Sequence, residues 1–273
     1  MLTVIAKLKQ KLSGRRSDKM IQTKIKEETN GGKGMDTIKF AKGSIKMVAH
    51  RGVSGIECEN TCPAFVFAGA RSYWGVETDV HITKDGKYII CHDDDIHRVS
   101  GVSMVIEQSD FDELRKIQLT NPRNGETRKD LFLPTVEEYV SICKKYGKEC
   151  VLEIKSDFTV PQMQGLIDII NEVGYLDGVT FISFLRPAME SLRAILPDHK
   201  AQLLVWRSDD DDLAFMDKWN LDMDVSWGAL TKEFADKVHE HGHKINCWTV
   251  DTVEAAEKMK DWGVEYITTN ILE

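Results

Sequence analysis

The stretch Gly75-Val76-Glu77-Thr78-Asp79-Val80-His81-Ile82-Thr83-Lys84-Asp85-Gly86-Lys87-Tyr88-Ile89-Ile90-Cys91-His92 decides how this chain is read. Side chains alternate across a strand, so Val76, Thr78, Val80 and Ile82 share one face and Glu77, Asp79 and His81 the other. Two carboxylates inside a β-branched run are costly unless a cation or strong donors compensate them. The segment Lys84-Asp85-Gly86-Lys87 signals a turn, and a two-residue Asp85-Gly86 connection predicts an antiparallel hairpin. With that turn, paired residue numbers sum to 171, which places Asp79 opposite His92. The hairpin is thus expected to bring an imidazole back beside the acids.

Outward from this hairpin, short β-branched runs alternate with amphipathic helical segments, the pattern of repeated βα units. The predicted parallel strands are Ile45–His50, Gly75–His81, Cys150–Lys155, Val179–Phe184, Ala201–Trp206, Met223–Trp227, Lys244–Trp248 and Val264–Thr268. Eight such units predict an α/β fold, a (β/α)₈ TIM barrel with a β-hairpin and small insertion after the second strand. Thr135 followed by Glu138 predicts a helix-starting capping box, and Pro187 sits near the opening of another helix. Residues 93–134 form the one long excursion, readable as a lid or a substrate-shaping insertion.

At 273 residues the chain accommodates one such domain. Its net charge of −8 conceals a split. The first 46 residues hold 12 Lys+Arg against 4 Asp+Glu, a net of +8, which leaves −16 for the remainder. Residues 1–44 therefore read as a flexible basic leader and 45–273 as the barrel domain. In the leader, Leu2, Ile5, Leu8 and Leu12 fall on one helical face, which allows weak peripheral contact with an anionic membrane. The acidic body argues against nucleic-acid binding, which depends on neutralising phosphates. No apolar run approaches the ~20 residues of a membrane span, and no export signal opens the chain, so the expected location is cytoplasmic. Six scattered cysteines fit reduced thiols there, Cys58 and Cys62 reading as packing residues.

In Val151-Leu152-Glu153-Ile154-Lys155, Glu153 and Lys155 share a face. Barrel catalytic groups sit at strand C-terminal ends, where Glu77, Asp79 and Glu153 all fall. Three converging carboxylates make an oxygen ligand set for a hard divalent cation, Ca²⁺ or Mg²⁺. The competing reading is a set of buried ion pairs, with Lys155 neutralising one acid. His50 ends the first strand before Arg51-Gly52, where arginine offers a fork to phosphate and glycine allows a backbone to approach a ligand. His50 and His92 flanking a phosphodiester would supply a general base and a general acid. The run His239-Glu240-His241-Gly242-His243 looks like a metal cluster, but it spans a helix end at the opposite barrel face. Asp209–Asp212 reads as a helix start.

These residues resemble the glycerophosphodiester phosphodiesterase family from about Ile45 onward. His50-Arg51-Gly52, Glu59-Asn60-Thr61, Glu77-Thr78-Asp79-Val80, His92-Asp93, Leu152-Glu153-Ile154-Lys155 and Trp248-Thr249-Val250 resemble its motifs in order. The resemblance implies metal-dependent hydrolysis of a small-molecule glycerophosphodiester to sn-glycerol 3-phosphate and an alcohol. It implies Glu77, Asp79 and Glu153 as metal ligands and His50 and His92 as proton shuttles. Arg51, Lys155, Asn60 and Trp248 would contact substrate, Trp248 at the glycerol moiety. Three features depart from the pattern: Cys58 replaces a usual proline, Asn270 a frequent late aspartate, and Asp93-Asp94-Asp95-Ile96-His97-Arg98 lacks the usual Arg-Thr-Thr. A phospholipase D-like or phosphoinositide phosphodiesterase on the same barrel, or an inactive phosphoester-binding barrel, is the alternative.

Overall fold

A computed structural model describes residues 36–207 and 209–273. The strands are β1 (Lys46–Ala49), β2 (Gly75–Ile82), β3 (Tyr88–Ile90), β4 (Gln118–Thr120), β5 (Thr127–Phe132), β6 (Glu149–Ile154), β7 (Val179–Ser183), β8 (Ala201–Val205), β9 (Asp222–Ser226), β10 (Ile245–Trp248) and β11 (Tyr266–Thr269). The sheet runs β1-β11-β10-β9-β8-β7-β6-β2-β3, and β1 also pairs with β2, so eight parallel strands close into a barrel with helices between them. All eight expected βα strands form within one or two residues of the predicted bounds.

The two faces of β1, β6, β7 and β8 go to different cores. Val76, Val80, Leu152, Ile154, Phe181, Leu203 and Ile267 join the large cluster between barrel and helices. Val48, Val151, Ile182 and Leu204 instead fill the barrel interior, with Trp74, Phe184 and Trp248 packed on them. Burying a branched side chain contributes about 1.5–3 kcal/mol, so a one-residue slip in any strand would expose a whole apolar row.

The hairpin forms, but its register differs from the expected one. The pairs are Val80↔Ile90, His81↔Ile89 and Ile82↔Tyr88, which sum to 170, not 171. Its connection has three residues, Lys84-Asp85-Gly86, with Gly86 at φ +75°, a turn-plus-left-handed-glycine loop. Asp85 accepts from Thr83 Oγ1 at 2.7 Å and from the Phe111 amide at 2.9 Å. Its carboxylate is thus committed to the insertion, and the turn widens by one residue. Cys91 therefore stands opposite Asp79, its N–H donating to the Asp79 carbonyl at 3.0 Å. Because β1 pairs with β2 only at Gly75 and Val76, the later part of that edge is left for β3.

The insertion has its own small core, in which Ile96, Val99, Ile106, Leu114, Leu119, Leu131 and Leu133 pack on Cys58, Ile89 and Cys91. It re-enters along β3, Ile90 donating to the Pro134 carbonyl at 2.9 Å. The helix Val136–Tyr146 then starts at the expected Thr135/Glu138 capping box, and Arg115 grips Glu138 with two bonds of 2.9 and 2.8 Å. Pro187 lies in the first turn of the helix Arg186–Ile195, also as expected.

The compact unit begins at Thr37 instead of Ile45. Ile38 bridges Leu272, Phe40 is buried in the main core, and the Glu273 carboxylate accepts from Thr37 Oγ1 and the Ser72 amide and pairs with Lys39 at 2.7 Å. Residues 37–44 set only Ile38, Phe40 and Ala41 among polar residues and glycine, too short a run for composition to signal this clasp. The helical face Leu2, Ile5, Leu8, Leu12 lies outside the described residues.

Burial alone would raise the Glu273 pKa, but its donors outweigh that and hold it at about 2. The stability it contributes is therefore present above its ordinary value and lost as pH falls toward 2. Glu273→Gln is expected to lower unfolding free energy by about 1–3 kcal/mol at pH 7, with the deficit shrinking as pH falls from 5 toward 2. Urea unfolding across that range measures it; a pH-independent deficit would contradict the clasp.

Candidate active site

Glu77 and Asp79 on β2 lie in register with Val151 and Glu153 on β6, so the strand pairing itself brings Asp79 beside Glu153. Glu77, Asp79 and Glu153 are 3%, 0% and 8% exposed. One carboxylate oxygen from each lies within 4.8 Å of the others, and among the described residues this is the only such cluster. The expected acids do converge.

Their electrostatics is frustrated. Burial and the charge of Asp79 push Glu77 well above the ordinary carboxylate range. The same two causes raise Glu153 to about 7. Burial would raise Asp79 as well, but His92, Lys155 and Arg51, together with a hydrogen bond from Asn60, hold it ionised. Lys155 Nζ sits 2.8 Å from Glu153 Oε1 and 3.5 Å from Asp79 Oδ1. That lysine pulls Glu153 down but does not offset burial and the charge of Asp79, and Asp79 Oδ1 is buried without a hydrogen-bond donor. Oxygen donors, crowded charge and an orphaned buried oxygen fit a divalent cation.

Each histidine is held through Nδ1. Asp251 takes hydrogen bonds from Asn270 N at 2.7 Å and Asn270 Nδ2 at 2.6 Å. A carboxylate only accepts, so the Asn270 amide oxygen turns toward Ser54 Oγ and His50 Nδ1, the latter 2.7 Å away. His50 therefore carries its proton on Nδ1 and presents Nε2, 3.9 Å from Glu77 Oε2. Burial, and secondarily Arg51, lower its pKa to about 3. His92 Nδ1 lies 2.6 Å from Asp93 Oδ1, which likewise leaves Nε2 free.

A charged chain joins the two halves of the site. Arg98 donates to Asp93 Oδ2 at 2.6 Å and to both Glu59 oxygens at 2.8 and 2.7 Å, and Arg51 Nη1 donates to Glu59 at 2.9 Å. Arg98, from the insertion, thus braces the partner of His92 and the partner of Arg51 together. Arg51 also gives its backbone N–H to Glu77 at 2.7 Å and brings Nε within 3.7 Å of Asp79. Its backbone is left-handed, φ +52°, an uncommon state for a non-glycine residue and frequent at functional sites.

Two residues have structural work that the sequence reading did not give them. Asn60, expected at the substrate, is 3% exposed; it donates to Asp79 Oδ2 at 2.7 Å and accepts from Thr78 Oγ1 at 2.8 Å. Both ends of its amide orient the acids. Gly52, with φ +78°, is required by packing, since a Cβ there would lie 2.5 Å from the Ala64 Cβ. Trp248 stands at the end of β10, half-buried, with Nε1 toward the Asp224 carbonyl at 3.3 Å. Elsewhere, His241 and His243 both bind Asp217 and His239 faces Glu265, all at a helix end. Asp209 caps the helix Asp210–Trp219.

Sequence reasoning missed Asp251, Ser54, Phe184 and Trp206, and gave no role to Asn270 or Arg98. Asp251 and Asn270 are 19 residues apart on different loops. A signal existed for the aromatics, because the segments of β7 and β8, like those of β9 and β10, each run into a Phe or Trp.

A closed parallel barrel with buried acids and two histidines at its C-terminal rim is the layout of a barrel phosphodiesterase. A sequence model of the glycerophosphoryl diester phosphodiesterase family matches residues 50–273, and the chain belongs to that family of phosphoric diester hydrolases. A glycerophosphodiester phosphodiesterase of Caldanaerobacter subterraneus is 26% identical over 233 residues, covering 82% of this chain and 93% of the relative. The solved Oleispira antarctica phosphodiesterase, in complex with the product sn-glycerol-3-phosphate, superposes with TM-score 0.74 at 22% identity, covering 82% and 92% of the two chains. A Parabacteroides distasonis glycerophosphodiester phosphodiesterase gives 0.70 at 25% identity over 86% and 94%.

Arg98→Ala is expected to lower kcat for phosphodiester hydrolysis by about 10²-fold, because both His92 and Arg51 lose a brace. Arg128→Ala, which breaks an insertion ion pair with Glu57, serves as control. Equal losses in the two variants would show that Arg98 merely stabilises the insertion.

Proposed function

We propose that the chain hydrolyses glycerophosphodiesters to sn-glycerol 3-phosphate and an alcohol, with a divalent cation, Ca²⁺ or Mg²⁺, held by Glu77, Asp79 and Glu153. The observation that carries this reading is the juxtaposition of three buried carboxylates with two histidines whose Nε2 atoms are free. When bound, the cation would act as a Lewis acid on the phosphoryl group. Arg51 supplies a buried guanidinium whose Nε has no hydrogen-bond partner within the protein, a donor suited to a phosphate oxygen. Lys155 adds positive charge beside the acids. His50, kept neutral by burial, takes at Nε2 a proton of the water whose oxygen forms the new P–O bond as the bond to the alcohol breaks. His92, backed by Asp93, donates a proton to the departing alkoxide. Positioned acids and bases of this kind contribute about 10²–10⁴ each. The glycerol moiety is assigned to Trp248.

Among the described residues no helix is long and apolar enough to cross a membrane. The six free thiols support a reducing compartment such as the cytoplasm. A small-molecule diester as sole partner suits the acidic body, and membrane contact through residues 1–44 stays a proposal.

A panel of glycerophosphodiesters and lysolipids, assayed with Ca²⁺, Mg²⁺ or chelator, tests the reading. Release of glycerol 3-phosphate with either metal and none in chelator is expected; full activity in chelator would sink the metal assignment. His92→Ala and Glu77→Ala should each cost at least about 10² in kcat, with unchanged circular dichroism.

A pH signature accompanies the acids. Glu153 has a raised folded value of about 7, so its contribution to metal-free stability is present at low pH and lost as pH rises through 7. In chelator the melting temperature should fall from pH 5 to 8. Metal displaces those protons, so apparent affinity should tighten over the same range. Calorimetry at three pH values measures both; affinity that weakens with pH would exclude these ligands.

A further inference from the structure

We infer that the exposed face of Trp206, backed by Phe184 and Trp248, is a subsite for a quaternary ammonium alcohol carried by the diester. The inference rests on the diester-hydrolase reading and names the headgroup that reading leaves open. Phe184 follows β7, Trp206 follows β8 and Trp248 ends β10. Phe184 and Trp248 pack on Val48, Val151, Ile182 and Leu204, so they line the barrel mouth. In the closed strand order β8, which runs into Trp206, lies opposite β1, which runs into His50, and β10 lies opposite β6, which bears Glu153, while β7 adjoins β6. A phosphate held by the acid side would direct its organic substituents toward this aromatic wall.

Trp206 is 63% exposed, and it is not loose. Its ring stacks on Phe184 at 5.4 Å and 18° and meets Trp248 edge-on at 4.7 Å and 77°. Stacking covers one indole face and leaves the other to solvent at the mouth. The other surface-reaching tryptophans behave differently. Trp74, Trp219, Trp227 and Trp262 each hold a lysine ammonium within 6.0 Å of the ring centroid. Among the described residues, no Lys or Arg sits over Phe184, Trp206 or Trp248. Elsewhere this fold sets its own cations over its indoles; at the mouth Trp206 and Trp248 have none, and Trp206 is the exposed one of the two. A rigid, uncapped indole attracts a cation through its ring quadrupole, and indole is the strongest aromatic partner for one. A primary ammonium is a compact, strongly hydrated point charge that needs hydrogen-bond acceptors. A trimethylammonium has no N–H to satisfy and spreads its charge over methyl groups, so it is the cation a bare ring holds best. The acidic body favours approach of a cationic group.

The test compares the full chain with Trp206→Ala and Trp206→Phe on glycerophosphocholine, glycerophosphoethanolamine and the neutral glycerophosphoglycerol. Wild type should favour the choline diester. Trp206→Ala should raise its KM about tenfold, Trp206→Phe should recover most of that, and the neutral diester should shift less than about twofold, which also reports on folding. A uniform loss on all three, or no loss, overturns the subsite while leaving the hydrolase reading intact. Lysophosphatidylcholine against lysophosphatidylethanolamine separates the sources of the headgroup. A choline preference abolished by Trp206→Ala in either pair supports the inference, and lysolipid preference indifferent to headgroup assigns the ring to an acyl chain and overturns it. If no diester is hydrolysed with any cation, the hydrolase reading fails. Titration calorimetry with tetramethylammonium then decides the subsite: binding lost in Trp206→Ala supports it, and no difference ends it.

Discussion

Mutual repulsion among Glu77, Asp79 and Glu153 is the constraint around which the rest of the barrel mouth is arranged. Strand pairing of β2 with β6 forces Asp79 beside Glu153, and alternation forces Glu77 onto the same face. A barrel interior usually takes branched apolar side chains; here Val48, Val151, Ile182 and Leu204 supply that filling, with Val151 in register with Glu77 and Ile182 with Glu153. The polar contacts made by these acids hold their negative charge in place. Lys155 spans two acids, the Arg51 backbone reaches Glu77, and Asn60 turns its amide to Asp79.

The insertion follows from the same constraint. Arg51 and His92 must both stay near Asp79 although they come from separate loops, and the link between them is the alternating chain Arg51, Glu59, Arg98, Asp93, His92. Glu59 has its pKa held at about 2; burial opposes this, but Arg51 and Arg98 outweigh it. Truncating one member of such a partly buried chain strands its neighbours, which is why its members act as a unit. On the opposite side, Asn270 interposes a neutral amide between His50 and Asp251, so the ring nitrogen is oriented without a carboxylate directly against it. The two histidines are thereby given different surroundings, a buried amide for one and an ionised acid for the other.

Periodicity alone made the eight strands, the capping box at Thr135 and the shared face of the acids legible, because each depends on local alternation or on a three-residue spacing. The three acids and two histidines were legible for the same reason, since strand ends locate them. The hairpin register was not. Its turn was shaped by Asp85 binding the Phe111 amide, a contact between residues 26 apart. The bonds of Asn60 to Asp79 and Thr78 were not legible, because its position beside Glu59 says nothing about which side chain its amide meets. The clasp of Thr37 and Glu273 joins residues 236 apart, beyond any window in which composition carries information.

By itself, then, the sequence determined the barrel, the acid face and the chemistry those residues can hold, since a strand's faces and a carboxylate's donors are local properties. Only the tertiary structure decided which nitrogen each histidine presents, what Arg98 joins, and that Trp206 is left uncapped across the mouth from the strand that runs into His50. Those are properties of pairs brought together by closure of the barrel, where hydrogen-bond direction and the burial of a ring face depend on neighbours distant in the chain.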